Sequence, residues 1–193
     1  MSAVLSVQAA PRIWTAEEFY NSPLSKKYEL AEGELIEIMP AGALHGVITS
    51  RLSRYLGNFV ADNNLGEIMA AETGFVLGEQ TFRGADAAFV SNAKFAEHGL
   101  PESFFPAAPD IAVETASPSN TSEEFLSKVD EYLSAGSRLV WVVNPKRRMI
   151  FVYRPNDVIT VLRENDVLEG ENVLPGFRLP LAQLFANLPQ TKE

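Results

Sequence analysis

The stretch Asp110-Ile-Ala-Val-Glu114, followed by Ser117-Pro-Ser-Asn120, decides the fold class of this 193-residue chain. Its apolar centre is typical of a strand, and the residues after it have the composition of a turn. Thr121-Ser-Glu-Glu124 then forms a capping-box pattern, which predicts a helix that ends at Gly136. The apolar run 138–143 predicts another strand, buried on both faces. These elements predict a mixed sheet with helices packed against it.

The remaining elements extend this unit in both directions. Thr15-Ala-Glu-Glu18 is a second capping box and predicts a short helix. The full prediction comprises helices at 15–20, 45–60, 121–135 and 181–186, an N-terminal hairpin formed by 28–30 and 34–39, strands at 67–77, 86–90, 110–116, 138–143 and 149–153, and short strands from 158 onward. No linker or internal repeat interrupts the sequence. We therefore expect one domain over 1–193, with a core at about 15–155 and a C-terminal addition at 156–186.

Composition restricts the chemistry that is open to this chain. It has no cysteine and only two histidines, which excludes thiolate zinc sites, cysteine nucleophiles and histidine-rich metal centres. A metal would then be held by oxygen ligands, as Mg²⁺ or Mn²⁺ are. The sequence shows neither a signal peptide nor an apolar run long enough to cross a bilayer, so a cytoplasmic protein without a membrane partner is expected. The formal net charge of −9 argues against tight binding to nucleic acid.

Two acids and a lysine are the candidate reactive groups. Asp86 begins one predicted strand, and Glu114 lies within another. Glu114 lies about 16 Å before the intervening turn along the strand, and Lys128 about 12 Å beyond it along the helix. A helix that packs back on its own strand therefore brings Lys128 close to Glu114. This pattern predicts a metal-dependent hydrolase of phosphodiesters.

Many motifs in one order resemble the Uma family, a group of candidate restriction endonucleases. They are Tyr28-Glu-Leu-Ala-Glu-Gly-Glu-Leu35, His45, Glu72-Thr-Gly-Phe75, Asp86-Ala-Ala-Phe-Val90, Pro109-Asp-Ile-Ala-Val-Glu-Thr-Ala-Ser-Pro-Ser119, Lys128-Val-Asp-Glu-Tyr132 and Val140-Trp-Val-Val143. The resemblance covers about residues 15–186. It implies the restriction-endonuclease-like fold of the PD-(D/E)XK superfamily, in which an Asp and a Glu hold Mg²⁺ and a Lys orients or activates water.

The resemblance also implies roles for individual residues. Asp86 matches the metal-binding aspartate and Glu114 the acid of the (D/E)XK strand, whereas the usual strand lysine is replaced by Ala116. Lys128 on the following helix is then the candidate lysine, and Arg83 matches an arginine that could contact phosphate. The family usually has Pro-Asp-Val where this chain has Ala85-Asp86-Ala87.

Several further residues have two readings each. Asp110 is either an additional metal ligand or a structural residue at a strand start. His45 either assists proton transfer near the metal or packs at a helix start. Glu29 and Glu72 either line the cleft or lie on a strand surface. His98 matches no motif and is expected to be inert.

Three functions remain open from the sequence. The leading prediction is a Mg²⁺- or Mn²⁺-dependent endodeoxyribonuclease acting on DNA, with a homodimer expected because two symmetric sites can cut both strands. The alternative is a nuclease-fold protein that lacks useful catalysis and binds nucleic acid or protein, which the acidic charge favours. A third is a small-molecule phosphodiesterase, which needs little basic surface.

Overall fold

A computed structural model of the protein describes residues 12–71, 73–117 and 122–188. The helices are α1 (Ala16–Tyr20), α2 (Ala43–Asp62), α3 (Asn92–His98), α4 (Ser122–Ser134) and α5 (Leu181–Leu184), and one 3₁₀ turn spans Pro23–Lys26. The strands are β1 (Tyr28–Ala31), β2 (Glu34–Glu37), β3 (Gly66–Ala70), β4 (Gly74–Gly78), β5 (Thr81–Gly84), β6 (Ala87–Ser91), β7 (Ile111–Thr115), β8 (Leu139–Asn144), β9 (Met149–Arg154), β10 (Val158–Leu162), β11 (Val167–Glu169) and β12 (Arg178–Pro180).

The central sheet has six strands in the order β10-β9-β8-β7-β6-β3. The pair β7–β8 is parallel, with Glu114 opposite Val142, and every other neighbouring pair of this sheet is antiparallel. Parallel neighbours require a crossover connection, and α4 provides it. The mixed sheet flanked by helices confirms the predicted fold class.

An antiparallel sheet of four strands, in the order β2-β1-β5-β4, forms the N-terminal part. The predicted hairpin is confirmed as β1–β2, with Ala31 opposite Glu34. Between them Glu32 and Gly33 both have positive φ, as a two-residue hairpin turn requires. The capping box of α1 is also confirmed, because Thr15 accepts from the Glu18 amide while the Glu18 carboxylate accepts from the Thr15 amide.

Each face of the central sheet carries its own apolar core. On one face, Ile48, Leu52 and Leu56 recur at helical spacing along α2 and pack toward Trp141. On the other face, α4 buries Val129 and Tyr132 against a cluster that contains Phe75, Ala112 and Val140. Side chains alternate along β7, so Ile111 and Val113 face α2 while Ala112 and Glu114 face α4. This alternation places the Glu114 carboxylate under α4.

The structure corrects several predicted elements. The predicted strand 67–77 is two strands, β3 and β4, because a turn closes through the Thr73 amide and the Ala70 carbonyl and the two halves join different sheets. Strand β5 and helix α3 were not predicted, since each is too short to carry a clear periodicity. His98 is the last residue of α3. The capping box at Thr121 lies outside the described residues.

No helix within the described part of the chain is both long and apolar enough to cross a bilayer.

Candidate active site

Glu114 is the centre of a polar cluster in an otherwise apolar strand. It lies on β7, is only 5% exposed, and is flanked by β6 and β8 on either side. A carboxylate in such a position loses its hydration, which costs several kcal/mol unless hydrogen bonds or cations replace the lost water. Its surroundings supply both kinds of partner.

Two residues one turn apart on α4 contact the Glu114 carboxylate. Lys128 Nζ lies 3.4 Å from Oε2, and the Tyr132 hydroxyl donates to Oε1 at 3.2 Å. Their spacing of four residues puts both side chains on the same face of the helix. The structure thus brings Lys128 to Glu114, as expected for a helix packed back on its own strand.

Asp86 lies beside Glu114, at the end of β7 where the chain leaves the sheet. Its Oδ2 accepts from the Thr115 amide at 2.6 Å and lies 2.9 Å from His45 Nε2. His45 is in the first turn of α2, so this contact joins that helix to the cluster. Its hydrogen bond with Asp86 raises the pKa of His45, against the opposing effect of partial burial. Among the described residues, none donates to the second oxygen of Asp86, Oδ1, and the side chain remains 23% exposed.

A second layer of charges holds Lys128 from the other side. Glu29 on β1 is buried and lies 3.1 Å from Lys128 Nζ. Arg83 on β5 donates to Glu29 Oε2 at 3.0 Å and binds the Glu131 carboxylate through Nε and Nη2 at 2.5 and 2.7 Å. The chain of contacts Glu131–Arg83–Glu29–Lys128–Glu114 therefore links the N-terminal sheet, α4 and β7.

Arg83, predicted to contact phosphate, lies inside the protein. The side chain is 2% exposed, and its donors are engaged by Glu29 and Glu131. Both acids raise the pKa of the guanidinium although burial opposes its charge. Arg83 is a buried cation that fixes two glutamates, and not a surface group that is free to meet a substrate.

The cluster holds more negative than positive charge around Glu114. Burial raises the pKa of Glu114 to about 7, and the neighbouring Asp86 and Glu29 carboxylates add to this effect while Lys128 opposes it. Burial disfavours the charge of Lys128, but Glu114 and Glu29 outweigh it and raise the pKa of the ammonium group. Lys128 is therefore cationic, and because it is shared between two glutamates it does not neutralise either completely.

The donor set fits a hard divalent cation with few protein ligands. Within residues 12–71, 73–117 and 122–188, no group of three or more acidic or histidine side chains is placed to hold a metal ion. Asp86 and Glu114 supply two carboxylates, and Mg²⁺ is commonly held by one or two carboxylates, with waters and phosphate oxygens completing the octahedron. A cation here would also offset the excess negative charge that raises the pKa of Glu114.

The remaining candidates from the sequence are Asp110, Glu29 and Glu72. Asp110 is buried at the opposite end of β7, about 13 Å along the strand from Glu114, and its carboxylate accepts from the Ser91 amide at 2.9 Å. Of its two readings, the structure supports the strand-start role. Glu29 lines the cluster from the inside, as described above, whereas Glu72 lies outside the described residues. No role was predicted for Glu131, and its position next to Tyr132 on the same helix is its only indication in the sequence.

Comparison with known proteins identifies a family and a solved structure that are similar to this chain. The family model of Uma2, described as "Putative restriction endonuclease", matches residues 16–182. The chain belongs to the Uma2 family. A similar solved structure is the crystal structure of a "putative nuclease belonging to DUF820" from Anabaena variabilis, with a TM-score of 0.79 and 22% identity over 89% of this chain and 97% of that one. At that identity the likeness establishes the shared fold of this Uma2 protein. None of the curated proteins matches the chain.

Proposed function

We propose that this Uma2 protein is a metal-dependent endodeoxyribonuclease, with Asp86 and Glu114 as the ligands of Mg²⁺ or Mn²⁺. The observation that supports this most directly is the buried Glu114 carboxylate, whose pKa is raised to about 7 by burial and by two further acids despite the contact with Lys128. Perturbed carboxylates of this kind are enriched at functional sites. The family description names the same class of enzyme.

A divalent cation bound to these oxygens would lower the pKa of a coordinated water and offset charge on the scissile phosphate. The residues of the chain prepare that position. The Thr115 amide and His45 hold Asp86 by Oδ2, which leaves Oδ1 for an incoming ligand. Tyr132 holds Oε1 of Glu114 in a fixed orientation from α4.

Lys128 and His45 take different parts in this proposal. The Lys128 ammonium lies beside Glu114 and keeps some contact with solvent, so it is placed to orient an attacking water or to stabilise negative charge that develops on phosphate. His45 contacts Asp86, so we assign it as a positioning residue. Lys128 also donates a hydrogen bond to Glu29, and this second contact holds its side chain in place.

The test is nicking of supercoiled plasmid DNA by the purified chain with Mn²⁺, compared with EDTA and with the variant Glu114→Gln. Glu67→Gln, at an exposed position on β3, is the matched control, since Glu67 lies opposite Val90, about 13 Å along the neighbouring strand from Asp86. We expect nicking that requires both the metal and Glu114 and is unchanged in the control. Wild-type rates for Glu114→Gln would refute the assignment.

Lys128→Ala separates catalysis from metal binding. The variant is expected to lower the cleavage rate about 100-fold or more, as loss of a group that stabilises transition-state charge does. Mn²⁺ affinity measured by calorimetry should change far less. A loss of metal binding in proportion to the loss of rate would make Lys128 a structural counterion instead.

A nuclease-fold binding protein without useful catalysis is the second candidate, and the net charge of −9 together with the internal placement of Arg83 favours it. Binding of DNA by wild type and by Glu114→Gln, with no metal-dependent cleavage, would support this candidate. Hydrolysis of a small phosphodiester such as bis(p-nitrophenyl) phosphate without any nicking would favour the small-molecule enzyme.

A further inference from the structure

Strand β10 is an uncovered, apolar edge of the central sheet. It is the last strand in the order β10-β9-β8-β7-β6-β3 and pairs on one side with β9. Val158, Ile159 and Val161 are 50%, 51% and 42% exposed. The sequence Val158-Ile-Thr-Val-Leu162 contains no charged residue, proline or glycine.

Sheet edges of this kind are normally protected against pairing with another chain. Charged side chains, proline, bulges or a covering helix are the usual means, and a flat apolar edge is prone to add a strand. The opposite edge of the same sheet, β3, carries the exposed Glu67 and begins at Gly66 with positive φ. The register between β10 and β9 is unbroken over five consecutive pairs, so β10 is regular and presents a straight row of backbone groups.

We propose that β10 pairs antiparallel with β10 of a second copy of this chain, on a two-fold axis at Thr160. A two-fold axis makes each contact occur twice, so the strand must be complementary to itself when reversed. About Thr160 it is: Val158 lies opposite the partner's Leu162, and Ile159 opposite the partner's Val161. The pairing extends the central sheet through both copies.

The charges that flank β10 support this register. Asp157 precedes the strand and Arg163 follows it, three positions on either side of Thr160, and both are exposed. Reversal about Thr160 brings Asp157, in the turn just before the strand, near the partner's Arg163, and the symmetry repeats this pair at the other end. Opposite charges directly across antiparallel strands stabilise the pairing, whereas like charges oppose it. A second copy is therefore the occupant that this edge fits.

The pairing would also bury apolar side chains on the α4 side of the sheet. In β9, Phe151 and Tyr153 are partly buried in the cluster on that side, and Ile159 and Val161 lie opposite them in register. Ile159 and Val161 therefore extend this apolar surface to the edge of the sheet. In the pair of copies, these four exposed side chains would cover one another across the axis.

The pairing also sets the spacing of the two candidate active sites, a step that depends on the proposed function. From one β7 to the other there are seven strand spacings, because three strands of each copy lie between them. At about 4.8 Å each, the two β7 strands would lie about 34 Å apart, close to one turn of B-DNA. The two-fold axis is perpendicular to the sheet, so both Glu114 residues lie on the same face of the extended sheet.

Charge reversal tests the register without reference to activity. Asp157→Arg and Arg163→Asp each place like charges across the axis, so each variant alone should dissociate at least about tenfold more readily than wild type. An equimolar mixture of the two restores opposite charges at both ends and should form a heterodimer. Sedimentation velocity of each protein and of the mixture gives the masses, with Lys26→Asp and Asp62→Arg as exposed controls of the same charge change.

A second variant guards against an effect on folding, since Asp157 has positive φ and a larger side chain strains the turn. Ile159→Lys combined with Val161→Lys changes only exposed side chains and should give a protein that is folded by circular dichroism and monomeric by sedimentation velocity. A wild type that stays monomeric at the highest attainable concentration overturns the proposal. A dimer that survives both the charge reversals and the double lysine variant overturns it as well. Because no step measures cleavage, an inactive protein would not affect the result.

Discussion

Replacing Glu114 by glutamine is expected to stabilise the metal-free protein at alkaline pH. The pKa of Glu114 is raised in the folded state from its ordinary 4.5 to about 7, so the folded state holds the proton more tightly than the unfolded state. The corresponding stability is fully present below pH 4.5 and is lost as the pH rises through 7. Glutamine has no charge to acquire and keeps its stability over that range.

The magnitude follows from the size of the shift. At 1.36 kcal/mol per pKa unit, ionisation of a buried carboxyl shifted from 4.5 to about 7 costs about 3 kcal/mol of folding free energy. The difference in unfolding free energy between Glu114→Gln and wild type should therefore grow by about 2.5 kcal/mol between pH 5 and pH 8, because part of the effect is already present at pH 5. Because the comparison is between two proteins, the titration of other carboxylates largely cancels.

Urea unfolding followed by circular dichroism in EDTA, at several pH values from 5 to 8, measures this difference. Glu67→Gln, the exposed control, should show a difference that does not change with pH. Addition of Mn²⁺ at pH 8 should stabilise wild type much more than Glu114→Gln, since a ligand that binds only the folded state adds to its stability. A difference between Glu114→Gln and wild type that is the same at every pH would refute the reasoning. It would mean that Lys128 compensates the Glu114 charge completely.

Three further substitutions test the surrounding structure. Glu131→Gln removes the charge that faces the buried guanidinium of Arg83 and should destabilise the protein by about 3 kcal/mol in urea, because a buried cation loses half of its compensation. Tyr132→Phe removes the hydroxyl that donates to Glu114 and should cost about 1–2 kcal/mol while leaving the circular dichroism spectrum unchanged; a gain in stability would contradict the contact. Thr15→Ala removes the N-cap of α1 and should cost about 1 kcal/mol in thermal unfolding, with plasmid nicking unaffected.

The fold could be predicted where local pattern and packing agree. Strand, turn, capped helix and second strand follow one another from Asp110 to Val143, and connections of this length leave few alternatives to a crossover. The division of 67–77 was not predicted, because the residues on both sides of the turn at Thr73 suit a strand and the different sheets that β3 and β4 join are not visible in the sequence. Periodicity gives the face of a strand, but it does not give the sheet to which the strand belongs.

The candidate site, too, could be predicted only in part. The approach of Lys128 to Glu114 follows from the rise per residue of a strand and a helix that are adjacent in the chain. The burial of Arg83 depends on Glu131, 48 residues later, and on Glu29, 54 residues earlier. An arginine in a short strand has the same sequence pattern whether its side chain faces solvent or two buried carboxylates. Only the packing of the N-terminal sheet against α4 decides which is the case.

The joining of distant segments in the cluster has a consequence for synthesis on the ribosome. Glu29 and Lys128 are 99 residues apart in the chain, and elongation adds about 5–20 residues per second. For about 5–20 s, therefore, a nascent chain contains Glu29 but not yet Lys128, its partner in the folded protein. Arg83 is likewise synthesised before Glu131, so at first it has only one of its two glutamate partners. The cluster is complete only after α4 has left the exit tunnel, so a growing or truncated chain cannot acquire the full arrangement of charges early.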